Sequence, residues 1–420
     1  MKRVLLFATT TGYQTRMFGE AAERLGVRLV FATDRCDQLD DPWWDGAIAV
    51  RFQHEAASVD ELRRALGTRP VDGVLALGDR PTILAAHAAC LFGVPFHSPD
   101  AARAARDKRL TRKRFADAGL RAPTFIVASL TEDPRSLAAR VPFPCVVKPT
   151  GLSGSRGVIR ANNEHELVAA FERVRRLLSS IEMRASEDGL ASAILIEEYI
   201  DGQEYAVEAV LERGALCLTT IFDKPDPLDG PFFEETLYVT PSRAHASRQT
   251  AIIGGVTRAA GALGLSHGPI HAECRVNARG VFVLEVAARP IGGLCARALA
   301  FVDQAARRAT LEELLLRHAV GESLAEWRRE TAASGVMMIP IPRQGIYRGV
   351  EGQAQARKVR GVDDVMVTAK PDQRLVPLPE GASYLGFIFA HADDPSRVEI
   401  ALRAAHDRLT FAIDPALPML

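Results

Sequence analysis

The sequence lacks long apolar runs and paired cysteines, and each absence narrows the class of protein. No apolar run in the 420 residues reaches the roughly 18 residues that a membrane span needs, so no membrane partner is expected. The six cysteines include no Cys-x-x-Cys pair, which predicts reduced thiols in a cytoplasmic protein and disfavours a zinc site. The apolar stretch after Met1-Lys2-Arg3 is too short for a signal peptide and predicts a buried first strand.

Lysine is also scarce, because most of the basic residues are arginine. Lys+Arg and Asp+Glu both number 52, which disfavours a general nucleic-acid binder, and a hydrophobic fraction of 47% is ordinary for a globular protein. Because lysine is a compact point charge and arginine a planar fork, each lysine that remains indicates a specific need. The lysines are Lys2, Lys108, Lys113, Lys148, Lys224, Lys358 and Lys370.

The first hundred residues alternate apolar strands with helices. Strands are predicted at 4–9, 27–32 and 71–77, with helices at 15–25 and 81–92, and this alternation predicts a parallel sheet covered on both faces. A long helical region is predicted at 100–118, a mobile connection at 182–192 and a domain boundary at 327–334. No dinucleotide fingerprint follows the first strand, which disfavours a dehydrogenase, and the histidines, His318 among them, look like isolated core or surface residues.

Lys148 ends the apolar strand 145–147, where a cation needs an anionic partner. The loop that follows can bring backbone N–H groups and hydroxyls onto phosphate oxygens. A strand-end lysine beside a flexible turn is an equally good explanation of this motif alone, and the loop fits neither common nucleotide-binding pattern. The small residues of the loop are Gly151, Ser153, Gly154, Ser155 and Gly157.

Two further segments carry carboxylates at the ends of apolar strands. Glu197 ends the strand 193–197, and Glu204 lies beyond a turn, although an ordinary charged hairpin would look the same. In the hairpin 271–287, Glu273 and Glu285 can lie side by side. Two adjacent carboxylates repel each other, and a hard cation such as Mg²⁺, with Mn²⁺ as the alternative, would remove the conflict.

The ordered set of these motifs resembles the ATP-grasp superfamily. The set runs from Asp-Lys at 107–108 through Val-Val-Lys-Pro, Glu-Glu-Tyr-Ile with Gly-x-Glu and His-x-Glu to Glu-x-x-x-Arg-Pro-x-Gly-Gly at 285–293. A softer resemblance links residues 335–420 to the L-amino acid ligase branch, which joins amino acids into dipeptides. The resemblance implies an α/β fold with an N-terminal parallel α/β domain (1–103), a central ATP-grasp domain of two α+β subdomains (104–192 and 193–330) and a C-terminal α+β lid-side domain (335–420).

The resemblance also implies a role for each matching residue. Arg289 would stabilise charge on the transferring phosphoryl group and on the later tetrahedral centre. The phosphates would be held by Lys108, Lys148, Gly154, Ser155 and Gly157; adenine and ribose by Glu197, Ile200 and Glu204; Mg²⁺ by Glu273 and Glu285; and substrate by Arg289, Gly292, Gly293 and Tyr238. Many members carry Asn where this chain has Ala287, so the second metal would have fewer protein ligands.

The implied activity is that of an ATP-dependent carboxylate–amine ligase that works through an acyl phosphate. Its partners would be small carboxylates and amines, with amino acids expected, and a homodimer is left open. Segments 151–157 and 182–192 are candidate lids, and the loop 224–242 with Glu234, Glu235 and Tyr238 is a candidate acceptor pocket. The alternatives are a purine-biosynthetic or biotin-carboxylase-like enzyme and a non-catalytic nucleotide-binding protein.

Overall fold

The N-terminal part of the chain is the predicted parallel α/β layer. A computed structural model describes residues 1–9, 14–34 and 46–415. The first elements are β1 (Arg3–Ala8), α1 (Thr15–Leu25), β2 (Arg28–Thr33), β3 (Ile48–Ala49), α2 (Glu55–Leu66), β4 (Gly73–Leu77), α3 (Thr82–Phe92) and α4 (Pro99–Arg106). The strands pair in parallel in the order β3-β2-β1-β4. Alternate residues of β1 are buried on opposite faces, Leu6 with Phe18 of α1 and Phe7 with Leu84 of α3, so helices cover both faces.

Asp107 interrupts the helical region that the sequence predicts as continuous. The structure has α4 and then a separate helix, α5 (Lys108–Asp117). Asp107 leaves the helical conformation at φ −90° and ψ 107°, and its carboxylate accepts a hydrogen bond from the backbone N–H of Arg109 at 2.9 Å. An aspartate in this position caps the second helix and satisfies its free N–H groups. The break therefore places Lys108 at the start of a helix, where its own N–H donates to the carbonyl of Thr150 at 3.0 Å.

The next segment is an antiparallel sheet with one long helix on it. Its elements are β5 (Phe125–Ser129), α6 (Pro134–Ala138), β6 (Cys145–Pro149), β7 (Ile159–Ala161), α7 (Glu164–Leu178), α8 (Ile181–Ala185), a 3₁₀ turn (Gly189–Ser192) and β8 (Ala193–Glu198). The strand order is β5-β8-β6-β7. Residues 182–192, predicted as a mobile connection, contain most of α8 and the 3₁₀ turn. The Thr150 hydroxyl donates to the Leu190 carbonyl at 2.6 Å, and Asp188 pairs with Arg106.

The remaining elements build one large sheet and two small ones. They are β9 (Gln203–Glu212), β10 (Ala215–Asp223), β11 (Leu237–Thr240), α9 (Ala246–Leu263), β12 (Gly268–Asn277), β13 (Gly280–Ala287), β14 (Ala300–Val302), β15 (Arg308–Thr310), α10 (Leu311–Ala319), β16 (Arg328–Arg329), β17 (Ala333–Ile339), β18 (Gly345–Glu351), α11 (Gln353–Ala356), β19 (Val362–Val367), β20 (Arg374–Leu375), β21 (Gly386–Ala392), α12 (Pro395–His406) and β22 (Thr410–Asp414). The large sheet has the order β13-β12-β9-β10-β11-β17-β21-β19. The small sheets are β15-β14-β16 and β20-β18-β22.

The large sheet crosses the predicted boundary at 327–334. Strand β17 begins at Ala333 and pairs with β11, so the C-terminal strands continue the sheet that β9, β10, β12 and β13 begin. The mixed α/β class is as expected. No helix in the described ranges combines the length and apolar character that crossing a bilayer requires.

Candidate active site

A cavity of about 390 Å³ lies where the carboxyl ends of β1 and β4 meet the two antiparallel sheets. Every residue to which the resemblance assigns a role lines it except Gly157, including Lys108 and Lys148 from one part of the chain and Glu273 and Glu285 from another. The others are Gly154, Ser155, Glu197, Ile200, Glu204, Tyr238, Arg289, Gly292 and Gly293. Residues far apart in sequence therefore share one cleft.

Lys108 lies next to Glu285, the second of the two carboxylates that the hairpin pattern predicts as metal ligands. Its Nζ is 3.1 Å from Oε2 of Glu285 and donates to the carbonyl of Leu152 at 2.8 Å. Its side chain is only 9% exposed. The ammonium thus joins the start of α5 to both the Gly/Ser loop and the β12–β13 hairpin.

Lys148 lies in a buried triad with Glu197 and Arg112. The Arg112 guanidinium is fully buried, with Nε 2.9 Å from one oxygen of Glu197, while Lys148 binds the other oxygen. Burial would raise the pKa of Glu197, but the two cations outweigh it and lower that pKa to about 2. Burial lowers the pKa of Lys148 to about 8, against the opposing effect of Glu197. The side chain of Glu197, and not its backbone alone, therefore belongs to the site.

The Gly/Ser loop takes a left-handed backbone at three positions. Gly154, Ser155 and Gly157 have φ values of 62°, 56° and 74°. A Cβ on Gly157 would lie 2.7 Å from Cγ of Pro149, so this position needs glycine. Gly157 does not line the cavity; its N–H donates to the carbonyl of Pro379 at 2.7 Å. Gly157 therefore shapes the loop and anchors it to the C-terminal part.

Lys224 is the centre of a carboxylate cluster. Its side chain is 3% exposed, and its Nζ is 2.8 Å from Glu204 and 3.1 Å from Glu273 and also binds Glu235. Although burial lowers the pKa of this lysine, the three acids raise it well above its usual value. Burial and the charge of Glu273 raise the pKa of Glu235 to about 7. Lys224 thus keeps three acids together in one small volume.

The protein groups that are predicted to bind adenine and ribose already have partners within the protein. The carbonyl of Ile200 accepts a hydrogen bond from Arg275 at 2.8 Å, and Glu204 binds both Arg275 and Lys224. Arg275 is itself buried at 3% exposure. The carboxylate of Glu204 is therefore held in a fixed orientation at the cavity wall.

Tyr238 lies on strand β11 and not on a loop. The sequence predicts an irregular segment through residue 242, but residues Leu237–Thr240 pair with β17. The Tyr238 ring is 2% exposed, and Nζ of Lys224 lies 5.0 Å from its centroid. The ring therefore packs under the ammonium of Lys224, as a cation–π contact does.

Arg289 is held by an aspartate from the N-terminal layer. Its Nε is 3.0 Å from Oδ1 of Asp79, which follows β4, and its Nη2 is 3.2 Å from Oδ2. A bidentate pair of this kind fixes the plane of the guanidinium. Next to it, Glu208 accepts from the N–H of Ile291 at 3.0 Å and lies 3.2 Å from Nδ1 of His271. These contacts fix the loop that contains Gly292 and Gly293.

The acids predicted to bind metal lie opposite each other. Glu273 and Glu285 are direct partners across the β12–β13 hairpin, next to a register shift at Cys274. Oxygens of Glu204, Glu235 and Glu273 also lie within 4.8 Å of one another. Carboxylate oxygens are the ligands that Mg²⁺ prefers, so these residues fit the metal. Ala287, which faces His271 in the register, offers no ligand.

Three family models match parts of this chain. A family model for an ATP-grasp domain matches residues 141–298, one for an ATP-grasp N-terminal domain matches 19–96, and one for L-amino acid ligase C-terminal domain 2 matches 337–414. The chain therefore contains an ATP-grasp domain.

It also resembles the L-amino acid ligases. The crystal structure of L-amino acid ligase from Bacillus licheniformis superposes with a TM-score of 0.81 at 25% identity, covering 99% of both chains. Alanine–anticapsin ligase of Bacillus subtilis is 26% identical over 57% of this chain and 52% of its own. Carnosine synthase 1 of Gallus gallus is 31% identical over 59% of this chain and 27% of its own. The chain thus spans only a part of these last two proteins.

Four residues of the site were not found from the sequence. Asp79 lies just after the carboxyl end of the parallel strand β4. Ligands bind at this edge in open α/β sheets, so the position of Asp79 could have identified it from the sequence. Lys224 was marked by the scarcity of lysine. Arg112 lies in a basic run in which no local pattern separates it from partly exposed neighbours such as Arg109 and Lys113, and Glu208 lies within a strand, so neither stood out.

Proposed function

We propose that the protein is an ATP-dependent ligase that joins a carboxylate to an amine, with amino acids as the substrates, and releases ADP and phosphate. The observation that carries the proposal is the convergence of two lysines, paired glutamates and an arginine in one cavity. Its likeness to L-amino acid ligases supports the amino-acid substrates.

The nucleotide would lie between the antiparallel sheet and the large sheet. Lys108 and Lys148 both line the cavity and would neutralise the phosphates, while the Gly154–Ser155 turn would cover them. Both lysines now pair with glutamates, so a bound phosphate would replace or share these contacts. Glu204, fixed by Arg275, would accept hydrogen bonds from the ribose hydroxyls.

Glu273 and Glu285 would hold Mg²⁺ against the phosphates. The metal would neutralise charge on the oxygens of the transferred phosphoryl group when bound. Lys224 holds Glu273 in place through a 3.1 Å contact, and Lys108 holds Glu285 through another of the same length. These lysines hold the two carboxylates in place in the free protein.

The proposed reaction has two steps. The substrate carboxylate attacks the γ-phosphorus and forms an acyl phosphate with loss of ADP, and the amine then attacks the acyl carbon and expels phosphate. Arg289, oriented by Asp79, would stabilise the charge that develops on the carbonyl oxygen. The nearby backbone of Gly292 and Gly293 would contact the substrate, and closure of the site would exclude water from the acyl phosphate.

The test is a screen of the twenty amino acids, singly and in pairs, with Mg-ATP. We expect one pair to release ADP and phosphate in equal amounts and to give a product of the dipeptide mass in a mass spectrometer. If bicarbonate stimulates turnover and amino acids do not, the carboxylase alternative is correct. Tight ATP binding with no turnover on any substrate would favour the non-catalytic alternative.

A further inference from the structure

Three side chains of the types that can bind a metal lie close together at one end of strand β9. The active site lies at the other end of that strand. Glu212 ends β9, Cys217 lies on β10 and His318 lies in the last turn of α10. A carboxylate oxygen, a thiol sulfur and an imidazole nitrogen of these residues lie within 4.8 Å of one another. At about 3.3 Å per strand residue, Glu212 is roughly 26 Å along β9 from Glu204. The cluster therefore lies outside the ATP cavity.

A β-bulge brings Cys217 to this cluster. Leu216 pairs with Leu211, but Leu218 pairs with Val210, so Cys217 is the extra residue between two consecutive pairs. A bulge of this kind redirects a side chain that regular alternation would place elsewhere. The thiol donates a hydrogen bond to the carbonyl of Val210 at 3.4 Å.

Two of the three side chains have polar atoms without partners. The Nε2 atom of His318 is buried and makes no hydrogen bond, in a residue that is 3% exposed. Glu212 is half-buried, and its carboxylate makes no hydrogen bond or ion pair with any residue that the structure describes. A buried donor or acceptor without a partner is costly, so a ligand for this group is expected.

We propose that Glu212, Cys217 and His318 form a structural zinc site. A carboxylate, a thiolate and a neutral imidazole carry two negative charges, which balance one Zn²⁺, and all three are ordinary zinc ligands. Around a tetrahedral zinc ion neighbouring ligand atoms are about 3.5 Å apart, so side-chain shifts of about 1 Å would close the cluster. The thiol proton would pass to solvent on binding, and water would complete the coordination.

The site would join two parts of the chain. Glu212 and Cys217 belong to the β9–β10 hairpin, whereas His318 belongs to α10. The end of α10 packs tightly on the N-terminal layer, because a Cβ on Gly73 of β4 would collide with the carbonyl oxygen of Ala319. His267 stacks on His318 with ring centroids 4.3 Å apart and orients its ring. Zinc would therefore stabilise the fold and would not take part in catalysis.

Cobalt substitution tests the proposal, since a cobalt–thiolate bond absorbs in the near ultraviolet. The full chain is freed of metal with a chelator, titrated with Co²⁺ or Zn²⁺, and compared with Cys217→Ser, His318→Gln and the control Cys90→Ser, which changes an exposed free cysteine. We expect one Co²⁺ per chain with thiolate absorption in the parent and in Cys90→Ser, and at least a tenfold weaker affinity in His318→Gln. Cys217→Ser should lose the absorption altogether.

Zinc should also raise the melting temperature of the parent chain and of Cys90→Ser but not that of Cys217→Ser. Cobalt or zinc bound only at the active-site acids would give no thiolate absorption, and this result would overturn the proposal. A thiolate absorption that survives in Cys217→Ser would overturn it as well, because another cysteine would then be the ligand.

Discussion

Removal of the buried Arg112 charge is expected to destabilise the protein strongly. In Arg112→Met the carboxylate of Glu197 loses the guanidinium that lies 2.9 Å away, and the Leu284 carbonyl loses a 2.8 Å hydrogen bond. The pKa of Glu197 falls from 4.5 to about 2 in the native protein, and at 1.36 kcal/mol per pH unit this equals about 3 kcal/mol. Loss of one partner of a buried ion pair costs a similar amount, about 3–5 kcal/mol.

The pH dependence of this effect has a defined sign. Because the native pKa of Glu197 is lowered, its stabilisation is fully present above about pH 4.5 and is lost as the pH falls towards 2. At pH 7 the melting temperature of Arg112→Met should therefore fall by roughly 6 °C, measured by circular dichroism. Lys113→Met on the same helix is the control, since its 3.0 Å pair with Asp117 is exposed and worth less than about 1 kcal/mol. Equal melting temperatures for the two variants would refute the reasoning.

Three further predictions concern the cavity itself. Since the pKa of Lys148 is about 8, the KM for ATP should rise at higher pH, by up to about tenfold per pH unit, and a constant KM from pH 7 to 9.5 would contradict this. Glu285→Gln should lower kcat by at least about 100-fold with an unchanged circular dichroism spectrum, and unchanged Mg²⁺-dependent turnover would remove Glu285 from the site. Lys224→Met should lower the free energy of unfolding, measured with urea, by about 3–5 kcal/mol, because three acids lose their buried partner. Lys358→Met, at an exposed position, should change it little. Equal losses in the two variants would show that the carboxylate cluster does not need its lysine.

Sequence patterns predicted those parts of the site that depend on local structure. The alternation along 271–277 placed His271 and Glu273 on one face, and the short turn at 278–280 placed Glu285 opposite Glu273, as the strand register confirms. Lys148 was found because a cation at the end of an apolar strand is costly without a partner. Helix α1 has the predicted limits, since Gly26 ends it in a left-handed conformation at φ 63°.

Contacts between distant segments were not predictable in this way. Arg112 meets Glu197 only when α5 packs against the sheet that contains β8, and no local pattern in the helix marks it. The ion pairs of Lys224 likewise join three segments of the chain. Asp107 was predicted as part of a continuous helix because residue pattern alone does not show which aspartate will cap a new one.

The sheet that crosses residues 327–334 shows a similar limit. Composition suggested a boundary there, but β17 pairs with β11 through Leu237 and Met337 and with β21 on its other side. Pairing between strands separated by a hundred residues depends on the packed core and not on the connecting segment. The same pairing places Tyr238 in a strand beneath Lys224.

The most direct test of the proposed chemistry follows an oxygen atom. An amino acid labelled with ¹⁸O in both carboxylate oxygens is supplied with ATP, Mg²⁺ and the amine that supports turnover, and the inorganic phosphate is analysed by mass spectrometry. If the carboxylate attacks the γ-phosphorus, each phosphate released carries one ¹⁸O from the amino acid. Phosphate without the label would mean that water attacks ATP instead and would contradict the proposed ligase mechanism.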